Sequence, residues 1–276
     1  MFRVLLFALA WPFLAASSTA SAQVLQVQVS IEPLQYLVER VGGEHVDVGV
    51  VVRAGQAPET YEPTPRQIAA LAEAAVFFGV GMPLEASWYR QLGGDAALQP
   101  EWVDLGVELV ESNGGYDPHV WLSPVNAQHM VSTIRRALSG LSPEHAESFD
   151  ANATDLHDEL ELLHGDITAV LKESGVETFL VFHPAWGYFA RAYGLEQLAV
   201  ESDGKEPGPR ALIEVIRRAR QERIQTLFLD PRHNTRLAGT IAEAIDGEIK
   251  MLDPLSYDYI NNLRSAAQAI ATSQSS

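Results

Sequence analysis

The stretch that most constrains this chain is a single apolar stripe, formed by Phe149, Leu156, Leu160, Leu163, Ile167, Val170 and Leu171. The intervals are seven, four, three, four, three and one, which place all seven on one face of an α-helix. Ser142-Pro143 opens the segment and Gly175 closes it. About 33 residues at ~1.5 Å each make a rod of roughly 50 Å. That exceeds an ordinary globular helix, and no second heptad segment exists to pair with it in a coiled coil. The spacing therefore predicts a long helix that spans two lobes.

Strand-like and helix-like segments alternate on both sides of the rod. Before it, Val24 to Val29, the valine-rich Val46 to Val52, Ala75 to Val80 and Val103 to Leu105 read as strands. Helical spacing covers Ile31 to Val41, Pro65 to Glu73 and about Val125 to Leu138, with Thr64 and Ser123 as caps. After it, strands are expected at Phe179 to Phe182, Leu198 to Val200, Thr226 to Leu229 and Ile249 to Leu252. Helices are expected at Trp186 to Ala192, Pro209 to Glu222, Thr235 to Ile245 and Tyr257 to Ile270. This alternation implies an α/β fold of two lobes, with largely parallel four-stranded sheets, joined by one long rigid helix. The expected division is a signal peptide over 1–22, an N-terminal lobe over 23–140, the linking helix over 141–175 and a C-terminal lobe over 176–276.

Composition narrows the function classes. The 276 residues include 19 basic and 36 acidic ones, a formal charge of -17, which argues against nucleic acid and anionic membrane surfaces. The chain opens with Arg3, then an apolar run from Val4 to Ala16 too short for a comfortable membrane span. Ala20-Ser21-Ala22 fits a small-residue cleavage site, so export and cleavage after Ala22 are expected. The absence of cysteine excludes disulfides, thiolate ligands, a cysteine nucleophile and an N-terminal lipidated cysteine.

In parallel α/β sheets, ligands bind beyond the carboxyl ends of strands. The polar residues found there are few. Phe179 to Phe182 runs into His183, and Ile249 to Leu252 runs into Asp253. The second strand leads to a proline-rich loop carrying Glu59 and Glu62, and His119 follows the fourth strand. Pro118 constrains the backbone at His119. Two imidazoles and two carboxylates suit a divalent transition metal. No two of these residues are close in sequence, so spacing alone leaves a metal site and ordinary polar loops both open. His45, His129, His145, His157 and His164 are expected to face solvent. His233 follows a strand and is a substitute ligand candidate. Glu201 and Glu206 are candidates for supporting the site or closing a cleft. Trp186, Tyr188 and Phe189 are expected in the core and cleft wall.

Five stretches carry a resemblance along essentially the whole mature chain. They are Ser30-Ile31-Glu32-Pro33-Leu34, Tyr61-Glu62-Pro63-Thr64-Pro65, Asp117-Pro118-His119-Val120-Trp121-Leu122, Val181 to Phe189 and Tyr193-Gly194-Leu195-Glu196. The chain resembles the zinc- and manganese-binding solute-binding proteins of bacterial ABC importers. That resemblance implies two lobes on one rigid helix, metal between them, and His119, His183 and Asp253 as ligands. It implies a non-enzymatic periplasmic receptor that hands zinc, with manganese or iron as alternatives, to an ABC permease. A monomer is expected. The usual Pro-His before Tyr-Glu-Pro is replaced here by Pro58-Glu59, so Glu59 is expected to ligate in place of an imidazole. Two rival readings are a zinc hydrolase using the same cleft and a receptor homologue that lost its metal and acts as an adhesin.

Overall fold

The computed structural model describes residues 24–58, 61–92, 101–105, 111–112, 115–202, 205, 207–233 and 235–273. Glu59, Glu206 and the expected signal segment lie outside the described residues.

The N-terminal half begins with β1 (Leu25–Ile31), α1 (Glu32–Gly42), β2 (Val46–Val52), α2 (Pro65–Glu73), β3 (Val76–Gly79), α3 (Pro83–Gln91) and β4 (Glu101–Asp104). Its four strands form one sheet in the order β2-β1-β3-β4, with every pairing parallel. A short antiparallel hairpin, β5 (Glu111–Ser112) with β6 (Gly115–Tyr116), precedes α4 (Pro124–Leu141) and α5 (Ala146–Ser174). The second half continues with β7 (Thr178–Val181), α6 (Gly187–Ala192), β8 (Glu196–Ala199), α7 (Pro209–Gln221), β9 (Thr226–Leu229), α8 (Thr235–Ala244), β10 (Glu248–Met251) and α9 (Tyr259–Ala271). Its parallel sheet runs β10-β9-β7-β8. Each sheet thus has the first strand of its half inside, flanked by the second and third, with the fourth beyond the third. The two halves repeat one topology without repeating a sequence.

Local signals in the sequence account for these elements. Thr64 and Gln67 form a reciprocal cap on α2: Thr64 Oγ1 accepts from the Gln67 N–H at 3.4 Å, and Gln67 Oε1 accepts from the Thr64 N–H at 2.9 Å. Ser123 caps α4 through Asn126 N–H, with Pro124 at the first helical position. The long helix comes out as α5, 29 residues and roughly 43 Å long at ~1.5 Å per residue. It starts later than the stripe suggests, because Pro143–His145 forms a separate 3-10 turn. Gly175 ends it in the left-handed conformation, φ 67°, where a Cβ would be strained. Phe149, Ala153, Leu156, Leu160, Leu163, Ile167 and Leu171 are its buried face, packed against α1, α4 and α9. Val170 lies at the margin of that face, half-buried.

One apolar core runs through both halves. It joins Val27, Val29 and Phe78 of the first sheet to Phe179, Val181 and Phe228 of the second, by way of the α5 stripe. A separate cluster covers the other face of the second sheet, where Leu180, Leu227 and Leu229 meet Ala219 and Ile241. Polar contacts reinforce the position of α5. Arg40 of α1 makes a two-pronged pair with Glu159 at 2.7 and 2.9 Å, and Asn152 donates to the Val41 carbonyl at 3.0 Å. At the other end His164 lies 3.2 Å from the Tyr193 hydroxyl, and Arg264 of α9 lies 3.6 Å from Asp166.

The helix α3 carries no strong periodic signal, and its anchor is a single buried carboxylate. Glu85 accepts hydrogen bonds from the backbone N–H groups of Val80, Gly81 and Met82 at 2.9–3.2 Å, closing the turn that follows β3. Burial pushes its carboxyl up to about 7, against these donors and the Ser30 hydroxyl, which hold it down. Glu85→Ala leaves buried N–H groups without acceptors, which costs roughly 1–3 kcal/mol for each fully orphaned group. Thermal unfolding of that variant is expected to fall by at least about 4 °C. An unchanged midpoint would show that the turn is held by something else.

Candidate metal centre

His119, after the first sheet, and His183, after β7 of the second, meet. Their ring centres are 5.4 Å apart, at an interplanar angle of 76°. Each ring is fixed by a carboxylate on the same nitrogen. His119 Nδ1 lies 2.7 Å from Asp117 Oδ1, and His183 Nδ1 lies 2.9 Å from Glu201 Oε2. A carboxylate on Nδ1 selects the tautomer with its proton there, so Nε2 carries the lone pair. This is the support that metal-ligating histidines use. Two imidazoles on one tetrahedral ion, each with a metal–nitrogen bond of ~2.0–2.1 Å, hold their ring centres roughly 5 Å apart. The observed separation fits that requirement.

Backbone constraints place both rings. The Asp117 carboxylate also accepts from the His119 N–H at 2.9 Å, which folds the Asp-Pro-His segment on itself. Its other oxygen rests against Gly187, where an added Cβ would come within 2.6 Å, so glycine is required at the start of α6. The Tyr188 hydroxyl donates to the Asp117 carbonyl at 3.1 Å. Trp121 lies in a 3-10 turn, Val120–Leu122, between His119 and the Ser123 cap. Its indole N–H donates to the Pro254 carbonyl at 2.7 Å, and the Tyr259 hydroxyl donates back to the Trp121 carbonyl. His183 directly follows β7 and the buried Phe182.

Around His183 stands a second group of titratable residues. His233 stacks near it, ring centres 5.1 Å apart and 28° between planes. Donor atoms of His183, Glu201 and His233 all lie within 4.8 Å of one another. His233 Nε2 is 3.6 Å from Glu201 Oε2, and its Nδ1 is 3.8 Å from Asp230 Oδ2. Arg232, with its side chain only 6% exposed, bridges Asp230 at 2.7 Å and Asp253 at 2.8 Å. Asp253 Oδ1 also accepts from the Leu255 N–H at 2.9 Å. Asp253 therefore stands at the expected edge, but with an arginine on its carboxylate.

Charge follows from this packing. Burial alone would raise the Glu201 carboxyl, yet hydrogen bonding from His183 and His233 holds it down at about 2. Asp230 is also held below the usual range, where contacts with His233 and Arg232 outweigh its burial. The Asp230 and then the Glu201 carboxylate push His233 up to about 9. A raised imidazole pKa stabilises the fold fully below the ordinary value near 6.5, and that contribution is lost as pH rises through about 9. In metal-free protein, the ring protons of His233 are expected to titrate near 9 by NMR. Glu201→Gln removes one of the two anions and should move that midpoint toward lower pH. A midpoint unmoved by Glu201→Gln would contradict the pairing.

The structure thus brings His119 and His183 together; Asp253 is paired with Arg232, and Glu59 lies outside the described residues. Glu201, a candidate for supporting the site, stands on His183 across 18 residues, while the contact of Asp117 with His119, two residues away, was not anticipated. Of the five histidines expected to face solvent, His129 is exposed and the other four are partly buried. His45 and His145 stack on each other at 3.7 Å, His157 bonds Ser132 and His164 bonds Tyr193. Trp186, Tyr188 and Phe189 are buried, as expected for core and wall.

Residues 27–273 match the family model for the zinc-uptake complex component A, periplasmic (ZnuA). The chain belongs to this family of metal-binding solute-binding proteins of ABC importers. Its fold superposes on a crystal structure of ZnuA with a TM-score of 0.87 and 35% identity, covering 92% of this chain and 100% of that one. A provisionally named metal-binding protein of Chlamydia muridarum is 29% identical over 255 residues, which is 89% of this chain and 90% of the relative. The zinc-binding protein AdcA of Streptococcus pyogenes is 25% identical over 275 residues, 89% of this chain and 53% of that longer protein.

Proposed function

We propose that this chain is a periplasmic receptor that captures zinc between its two sheets and delivers it to an ABC permease. The observation that carries the proposal is the pair of carboxylate-oriented imidazoles, His119 with Asp117 and His183 with Glu201, meeting from opposite halves. Both Nε2 atoms are ligands in this reading. The remaining donors come from the Glu59 loop and from the Asp253 edge. Zinc is favoured over manganese or iron because imidazole nitrogen suits it and because the general affinity order places it above both. ZnuA and AdcA relatives support the same choice. The chain's excess of acidic residues is compatible with a cationic cargo. The protein performs no chemistry on the ion; it supplies deprotonated ligands already in position. Among the described residues, no helix is long and apolar enough to cross a membrane.

Metal analysis and chelator competition on protein purified without a histidine tag test this reading. One equivalent of zinc is expected, bound more tightly than manganese. His183→Ala should lower zinc affinity by at least about tenfold, because losing a ligand costs no less than losing its outer hydrogen-bond partner. Affinity should also fall on acidification, because the imidazoles must give up protons to bind. Equal zinc affinity in parent and His183→Ala would remove His183 from the site.

A further inference from the structure

We infer that His233 is a third imidazole ligand of the metal, at the edge where the sequence pointed to Asp253. The inference rests on the zinc-receptor reading above and names a donor within the same site. Three observations carry it. The first is position: His233 and His183 ring centres are 5.1 Å apart, a separation close to the 5.4 Å between His183 and His119. Both values match the roughly 5 Å that two imidazoles sharing one tetrahedral ion require. The second is convergence: donor atoms of His183, Glu201 and His233 lie within 4.8 Å of one another. The third concerns the alternative donor. Asp253 Oδ1 already receives the Arg232 guanidinium at 2.8 Å and the Leu255 N–H at 2.9 Å. Arg232 is buried and also holds Asp230 at 2.7 Å. An ion that took Asp253 would share its carboxylate with the Arg232 guanidinium and sit beside that positive charge, which is costly.

In this arrangement His233 joins the ion of His119 and His183 from its place beside the His183 ring. Glu201 then serves two histidines. It orients His183 through Nδ1 and supplies negative charge beside His233, offsetting the divalent ion in a poorly solvated cleft. The turn that presents His233 is itself fixed, because its N–H donates to the Asp230 carbonyl at 3.0 Å. Arg232 in this arrangement is the partner of Asp230 and Asp253 and not an obstacle to the ion.

X-ray absorption at the zinc edge of the loaded parent protein, paired with chelator competition on variants, tests the inference. The parent spectrum should fit three imidazoles, and those of His233→Ala and His233→Gln should fit two. Both variants should bind zinc at least about tenfold more weakly than the parent. Asp253→Asn should keep the three-imidazole spectrum. A parent spectrum with two imidazoles would overturn the inference. So would unchanged affinity in both His233 variants while His183→Ala is weakened, and in that case the receptor reading stands. If the parent binds no zinc, or His183→Ala binds it as the parent does, the receptor reading itself has failed and the inference falls with it.

Discussion

Trp121 joins the two halves at the point where the site needs them joined. Its indole N–H reaches the Pro254 carbonyl just after Asp253, and its own carbonyl receives the Tyr259 hydroxyl at the start of α9. Two residues before it stands His119, so the first imidazole is referenced directly to the second half of the chain. Tyr188 and Gly187 complete the connection by seating Asp117 against α6. Along α5 the apolar stripe provides the same constraint on a larger scale, burying side chains from both halves in one core. A buried tryptophan and a continuous helix both resist hinge motion, because opening would expose apolar surface and break backbone hydrogen bonds. For the proposed receptor, this means ligands presented in place, with little need of domain closure.

Preorganisation extends to the protons. Asp117 and Glu201 stand on the Nδ1 atoms of the two facing histidines, so tautomer and ring orientation are set before any ion arrives. That arrangement lowers the reorganisation that binding has to drive. Beside them Asp230 and Glu201 face Arg232 and His233, two anions against two cations, which lets several ionisable groups lie close together in a partly buried cleft.

Most of the architecture was legible because it rests on periodicity. The α5 stripe, the strand–helix alternation and the caps at Thr64 and Ser123 are local patterns, and each has a local physical cause. The late start of α5 turned on Pro143, whose ring suits a first turn of either helix type. The helix α3 was missed because its anchor, Glu85, works by reaching back to the backbone after β3, a contact that periodicity does not encode. The same limit applied at the site. His183 and Asp253 were found because they follow strands, but the Arg232 bridge to Asp253 joins neighbouring strand ends, β9 and β10, and only their parallel pairing reveals it. His233 stood out as a substitute for the same positional reason, while its closeness to His183 depends on β9 lying beside β7.

The central claim is that one ion is held by imidazoles already positioned from both halves. Its most direct test is a pair of crystal structures, metal-free and zinc-loaded, the latter with anomalous data at the zinc edge. The account predicts a single strong anomalous peak bonded to Nε2 of His119 and of His183. Asp117 and Glu201 should remain on the Nδ1 atoms, and the two sheets should superpose as one body between the structures. A zinc peak away from these two rings, or a wide closure of one half upon the other, would contradict it.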